Sequence, residues 1–230
     1  MALKKYSIKH KYKIIEKVKF KQMYKSRVKK LSQFMQFIHN DDTILDVGAE
    51  CFEYSPVDNF LEKNYPRKEK ITGLTIYENT NSFRIRYPEV SIITYDGNVF
   101  PFEDNTFDIV YSNAVIEHVG CYKKQEKFLD EMIRVAKSGV YFTTPNKYFP
   151  IELHTVTIFI HWLPKPMFDW ILIKIGKKSM TGDYMNLLSL SKLKRLLEKH
   201  ISNCKYNITK NKILFIPVTF SVFISKNYKN

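Results

Sequence analysis

Thr43-Ile-Leu-Asp-Val-Gly48 decides how the rest of this sequence is read. A short apolar run stopped by glycine is the pattern of a buried parallel strand whose end turns tightly. Working outward, further strand signals fall at Ile71–Ile76, Val90–Tyr95, Phe107–Ser112 and Val140–Thr144. Helical signals lie between them. Ser55-Pro56-Val57-Asp58 reads as a helix start, with Ser55 as cap and Pro56 in the first position, and that helix must stop before Pro66. Phe128, Met132 and Ala136, with Leu129 and Ile133 beside them, make the apolar side of a helix after the fourth strand. Alternating strands and helices imply right-handed βαβ units and a parallel sheet. Residues 205–226 read as an antiparallel pair around Asn211-Lys212. The expected class is therefore α/β: a Rossmann-like, mostly parallel sheet with a reversed terminal strand, helices on both faces, and an inserted cap at 147–190.

Size and composition agree with one large domain. The chain has 230 residues, of which 44% are hydrophobic and 26% charged, and a core of that size needs no covalent staples. Three cysteines (Cys51, Cys121, Cys204) have no metal-type spacing and read as free thiols of a reducing compartment. No His, Cys or Asp cluster has ligand spacing, so no metal is expected. The charged start lacks the apolar stretch of a secretory signal. The longest apolar run, Ile213–Ile224, spans 12 residues and contains Pro217, Thr219 and Ser221. A bilayer needs about 20, so this run reads as buried strand, and the expected location is the cytoplasm.

Charge is unevenly placed. Residues 1–30 hold 12 Lys or Arg and one acid, so +11 of the net +14 sits there; the other 200 carry 25 basic and 22 acidic groups. Residues 1–40 thus read as a basic amphipathic arm, and 41–230 as the domain. Tyr24, Val28, Leu31, Met35 and Ile38 recur at helical spacing, which predicts a docked helix ending near His39-Asn40. Such a helix can also lie on an anionic membrane, at its inner face here, or touch nucleic acid. The near-neutral body argues against nucleic acid.

In an open α/β sheet, ligands bind at the carboxyl ends of the strands, where strand order reverses. After strand one come Asp46, Gly48 and Ala49. After strand three come Asp96-Gly97-Asn98, where a carboxylate can accept a hydrogen bond from an exocyclic amine. After strand four come Ser112-Asn113-Ala114-Val115-Ile116-Glu117-His118. Asp-Gly pairs are ordinary turns taken singly; their order at successive strand ends is what carries information. The first loop lacks the G-x-G-x-x-G pattern of a nicotinamide site.

Thr43–Gly48, Asp96–Val110, Asn113–Val119 and Arg134-Val-Ala-Lys-Ser-Gly139 together resemble the type 11 group of class I S-adenosylmethionine-dependent methyltransferases, over about residues 42–146. Thr143–His154, His161-Trp-Leu-Pro164 and Asn186-Leu-Leu-Ser189 resemble a bacterial subfamily that often accompanies cell-surface glycan or glycolipid synthesis. The resemblance implies S-adenosyl-L-methionine as cofactor. It places Asp46, Gly48 and Ala49 at the methionine part, and Thr75 and Ile76 where the ribose-binding acid and its neighbour lie. Asp96, Gly97 and Asn98 would border the adenine, and Asn113 the floor of the methyl-transfer site. Two features depart from the pattern. Glu50 and Phe52 stand where two further glycines are usual, and Thr75 replaces the ribose acid, with Glu78 three residues later as a substitute. Each change removes a charge-assisted hydrogen bond worth about 1.5–3 kcal/mol, or roughly one to two decades of affinity.

The acceptor side is read from the residues beyond strands four and five. His118 suits proton uptake, because its reference pKa lies near neutrality. Glu152 and His154 follow strand five on the same edge, and their alternative role is a polar cluster that holds the cap. His161 reads as packing, and Tyr184 and Asn186 as closing over the pocket. The expected partner is a small-molecule, glycan or lipid-linked acceptor. A binding or scaffold homologue without catalysis is the alternative.

Overall fold

The computed structural model describes residues 20–152, 155, 157–200 and 204–226. Strands β1 (Ile44–Val47), β2 (Ile71–Thr75), β3 (Ser91–Thr94), β4 (Phe107–Asn113) and β5 (Ala136–Pro145) form the parallel part of the sheet. β6 (Ile151–Glu152) and β7 (Thr157–Ile158) make a separate small ribbon. β8 (Lys205–Ile213) and β9 (Ile216–Ser225) complete the sheet, whose order is β3-β2-β1-β4-β5-β9-β8. β9 is antiparallel to both of its neighbours. The last strand of the chain is thus the reversed one, and it lies second from the edge.

Residue alternation along each strand sorts the two faces. Leu45, Val47, Val110, Val140 and Phe142 pack on one face against α4 (Tyr122–Val135) and α6 (Leu190–His200). Ile44, Ile71, Ile109, Tyr111 and Tyr141 pack on the other against helix α1 (20–34), α2 (Phe60–Asn64) and α3 (Asn81–Arg86). Order reverses between β1 and β4. Connections therefore leave in opposite directions there, and the carboxyl ends of these strands flank a crevice.

Three local expectations change. Residues 56–59 form a turn, and α2 starts only at Phe60. The Asp58 carboxylate accepts the backbone N–H groups of Tyr54 and Ser55 at 2.9 and 2.8 Å, so this polar group closes a turn instead of capping a helix. The β8–β9 hairpin turns at Leu214-Phe215, three residues beyond Asn211-Lys212, where the ladder has only a bulge. Asn211 is buried, donates to Ser221 Oγ at 2.8 Å and accepts from Gln33 Nε2 at 3.1 Å, so its amide is directed inward. α1 ends at residue 34, and the predicted stripe docks in part: Leu31 and Ile38 pack against the core and Tyr24 meets the Phe60 ring at 5.5 Å, whereas Val28 and Met35 are exposed.

The docking face of α1 also carries Lys30 and Phe34, both buried, with Arg27 Nη1 enclosed beside them. Phe34 meets Tyr111 and Tyr141 at ring distances of 4.8 and 5.4 Å. Tyr141 donates its hydroxyl proton to the Lys30 carbonyl at 3.0 Å. Basic side chains fit here because buried carboxyls lie close by: Asp46 of β1, with Glu62 of α2 beside it, near Arg27, and Glu117, after β4, near Lys30. Burial pushes the Lys30 ammonium down to about 7, Arg27 adds to the effect, and Glu117 opposes it. Burial raises the Asp46 carboxyl, and facing Glu62 raises it further. Two buried carboxyls in that position share a proton better than they carry two charges.

A lysine with a lowered folded pKa binds fewer protons folded than unfolded, so its contribution to stability grows as pH rises from about 7 toward 10.5. Urea unfolding at pH 7 and at about pH 9 is expected to show this gain, at most about 1.4 kcal/mol per pH unit. In Lys30→Met the gain should shrink. Equal pH slopes in the two proteins would mean that Lys30 is not buried as described.

Candidate active site

The first loop leaves β1 through Gly48, which has φ +99° and would place a Cβ 2.4 Å from Val115 Cγ2. Only glycine suits both the backbone and the space. The Gly48 and Ala49 N–H groups donate to the Leu74 carbonyl at 2.9 and 3.2 Å, which lays the loop across the end of β2. Beyond this point side chains do the holding. The Glu50 carboxylate accepts from Phe52 N at 3.0 Å and Tyr77 Oη at 3.4 Å. Asn59 accepts from Glu50 N at 2.9 Å and donates to Glu50 O at 2.8 Å and Glu53 Oε1 at 3.1 Å. Arg86 donates to the Cys51 carbonyl at 2.6 Å.

Asp46, at the end of β1, is buried under α1 and α2 with its carboxyl near Glu62 and Arg27, so any influence on a ligand is indirect. Thr75 is buried too. Its hydroxyl accepts from Tyr77 N at 3.3 Å and lies 3.8 Å from Cys51 Sγ. Glu78 stands exposed three residues on.

The third-strand side is open. Asp96, Gly97 and Asn98 are exposed, and Gly97 has φ +84°. The Asn98 side-chain amide and backbone N–H donate to Asp96 at 3.0 and 2.9 Å and hold its carboxyl below the usual carboxylate range. Two aliphatic side chains that sequence alone would bury are left in water here, Ile76 at 62% and Val99 at 64% exposure. Ile76 lies against Gly97, with Cγ2 3.7 Å from where a Cβ would be. An ionised carboxylate beside exposed aliphatics offers a hydrogen bond to an exocyclic amine and apolar cover to a flat ring. These features fit the adenine end of S-adenosylmethionine, and the glycine turn at Gly48 fits close approach of its methionine end. The buried Thr75 supplies no ribose acid.

After β4, Asn113 Oδ1 accepts the Thr143 hydroxyl proton at 2.7 Å, which leaves its NH2 end for a ligand. The next residue, Ala114, has φ +60° and donates its N–H to the Thr143 carbonyl at 3.0 Å. A non-glycine residue in this conformation marks a backbone held by its surroundings. His118 is half-buried. Its Nδ1 lies 2.7 Å from the Tyr184 carbonyl and therefore carries the proton that it donates there, and the ring meets Tyr184 edge-on at 5.3 Å. Glu117 belongs to the segment read after strand four, where sequence alone assigned it no role. It is fully buried, accepts from Thr144 Oγ1 at 3.1 Å, and has Oε1 without a hydrogen-bond partner. A carboxylate within an apolar post-strand segment was the signal for it.

Glu152 is buried inside the cap, where it accepts from the backbone N–H and hydroxyl of Thr155, the latter at 2.5 Å. Thr155 in turn bonds Thr157 at 2.8 Å, and its carbonyl accepts a hydrogen bond from Lys177 Nζ. This is the arrangement of a polar cluster that holds the cap together. His154 lies outside the described residues. His161 is buried, with Nε2 donating to the Phe149 carbonyl at 2.8 Å. Asn186 N donates to the Glu117 carbonyl at 2.7 Å, so the cap is tied to the segment after β4. Two cavities lie under the cap, of about 120 and 50 Å3, and none of Asp46, Gly48, Thr75, Asp96 or Asn113 lines them. These partly open cavities therefore lie beside the crevice and not in it. Among the described residues no three His, Cys, Asp or Glu side chains are grouped to hold a metal.

Residues 55–144 match the family model described as a methyltransferase domain. The fold resembles a SAM-dependent methyltransferase from Aquifex aeolicus at 18% identity and TM-score 0.51, covering 85% of this chain and 88% of that one. It also resembles a SAM-dependent methyltransferase from Methanosarcina mazei, at 16% identity, TM-score 0.53, and 84% and 96% coverage. A third, the S-adenosylmethionine-dependent methyltransferase from Mesorhizobium loti, matches at 12% identity, TM-score 0.53, and 80% and 90% coverage. The chain has the Rossmann-like fold of the class I methyltransferases, and residues 55–144 carry the methyltransferase-domain sequence pattern.

Proposed function

We propose that this protein is an S-adenosylmethionine-dependent methyltransferase acting on a small-molecule, glycan or lipid-linked acceptor. The observation that carries the reading is the exposed, ionised Asp96 with Gly97 at the carboxyl edge of the sheet, after β3, with exposed Ile76 against Gly97 and exposed Val99 three residues on. When bound, the cofactor supplies an electrophilic methyl group, so the protein has to orient the acceptor and, for an oxygen or nitrogen acceptor, take up a proton. Asp96, Gly97, Asn98 and Ile76 would hold the adenine end. Gly48 and Ala49 would admit the methionine end, Asp46 supporting them from beneath, and the Asn113 amide would face the transfer site. His118, fixed by the Tyr184 carbonyl, is the candidate proton acceptor. Glu152 is proposed as a positioning residue of the cap, and His154 as an acceptor contact.

A second reading, a binding or scaffold protein without catalysis, is favoured by the buried Thr75 hydroxyl and by the Glu50 loop. Calorimetric titration with S-adenosylhomocysteine separates the two. Micromolar binding is expected, and Asp96→Ala should weaken it about tenfold, the loss of one charge-assisted hydrogen bond. Gly48→Ala should weaken it as well. Absence of binding at millimolar ligand would favour the scaffold.

We also propose peripheral contact with an anionic membrane through residues 1–30. Residues 1–19 lie outside the described residues, and no helix among the described ones is long and apolar enough to cross a bilayer. Support comes from the excess of basic residues at 1–30 and from the hairpin tip, where Leu214 and Phe215 are 87% and 90% exposed. That tip lies at the carboxyl edge, because β9 runs antiparallel to β5 and begins beyond its end. Apolar tips ringed by lysine suit the lipid interface. In flotation assays the full chain should float with phosphatidylglycerol vesicles and stay below with phosphatidylcholine alone. Failure to float with either removes the idea.

A further inference from the structure

The larger cavity, about 120 Å3, lies between α4, α6 and the cap, and no residue of the cofactor crevice borders it. Its walls include Tyr122, Gln125, Lys147, His161, Lys165 and Lys192. Pockets that take a whole drug-sized ligand run to about 300–1,000 Å3, so this one accommodates a functional group and not a complete acceptor.

Its charge is one-sided. Lys165 is paired with Asp169 at 2.5 Å. Among the described residues neither Lys147 nor Lys192 has a carboxylate partner within 4.0 Å. The two repel, and burial together with Lys192 pushes the Lys147 ammonium down. Two nearby acids are engaged elsewhere: Glu126 with Lys199 at 2.7 Å, and Glu152 with Thr155. Two further wall groups are buried without any hydrogen-bond partner, Tyr122 Oη and His161 Nδ1. A buried polar atom left unmet costs about 1–3 kcal/mol, so the cavity is built at a loss unless something fills it. Because His161 Nε2 donates to the Phe149 carbonyl, Nδ1 of the neutral ring is an acceptor. Tyr122 and the lysines are donors.

We propose that this cavity binds the phosphate group of the methyl acceptor, with Lys147, Lys192 and Tyr122 donating to its oxygens and His161 accepting from a neighbouring hydroxyl. The inference rests on the methyltransferase reading of the crevice and adds to it the class of acceptor, a phosphate ester of a hydroxylated molecule. Its location agrees with such a role. Asn186 and Gln125, both on the cavity wall, are joined by a hydrogen bond of 2.8 Å, and Gln125 also donates to the Ile116 carbonyl at 3.0 Å. The wall is therefore connected to the segment that follows Asn113.

The test uses the full chain and glycerol 3-phosphate, with glycerol as control, followed by calorimetry. Phosphatidic acid in phosphatidylcholine vesicles forms a second arm. The phosphate ester should bind where glycerol does not, and Lys192→Glu should weaken binding at least about tenfold. Lys192 is exposed on α6, so this variant is expected to melt like the wild type. Binding of the soluble ester points to a free phosphate ester. Binding only of the vesicles, lost in Lys192→Glu, points to a lipid headgroup. No binding in either arm, or binding that Lys192→Glu leaves unchanged, overturns the proposal. S-adenosylhomocysteine titrated separately into the wild type reports on the crevice, so either site can fail without the other.

Discussion

The reversal of strand order between β1 and β4 is the constraint on which the molecule is organised. Right-handed crossovers carry the chain to β2 and β3 on one side and to β5 on the other, with helices on opposite faces. The carboxyl ends of β1 and β4 are consequently not bridged by a connection, and the loops after β1, β3 and β4 all border one groove. Every residue proposed for cofactor binding lies on those loops or at the ends of the strands beside them. The same geometry brings the β8–β9 tip and the cap to the same edge.

Within that frame the first loop solves an old problem by different means. A glycine-rich loop reaches its conformation through backbone freedom, at an entropic cost on folding. Here Gly48 alone supplies positive φ, and the rest of the loop is held by Glu50, Asn59, Tyr77 and Arg86. Enthalpic anchoring replaces flexibility. The loop is therefore bulkier, and its contacts with a ligand come from fewer exposed backbone groups.

Buried charge is the second theme. Arg27 and Lys30 on α1 meet Asp46, Glu62 and Glu117 beneath the groove, while Lys147 and Lys192 gather at the cavity under the cap. Carboxyls of the fold itself act on the first set, whereas Lys147 faces the like charge of Lys192, and the proposed anion site rests on that difference.

Much of the fold was legible from residue pattern. Five parallel strands, the glycine after the first, the long helix before β5 and the reversed last strand follow from periodicity and stop signals, which act over a few residues. What needed three dimensions were features set by distant partners. The basic side chains of α1 are buried where Asp46, Glu62 and Glu117 lie near them; periodicity, which counts apolar residues, found Leu31 and Ile38 on the docking side but had no means of finding Lys30. Asn211 looked like a turn residue, but its bonds to Gln33 and Ser221 turn it inward and move the hairpin to Leu214-Phe215. In the groove, Asp96, Gly97 and Asn113 could be named from their places at strand ends, because position along a parallel strand determines its edge. That Asp46 and Thr75 are covered, that Ile76 is bare, and that Glu152 is absorbed by Thr155 depended on which side chains the fold sets beside them. Sequence determined the edge on which chemistry is gathered; packing between residues far apart in the chain decided which of those groups a ligand can reach.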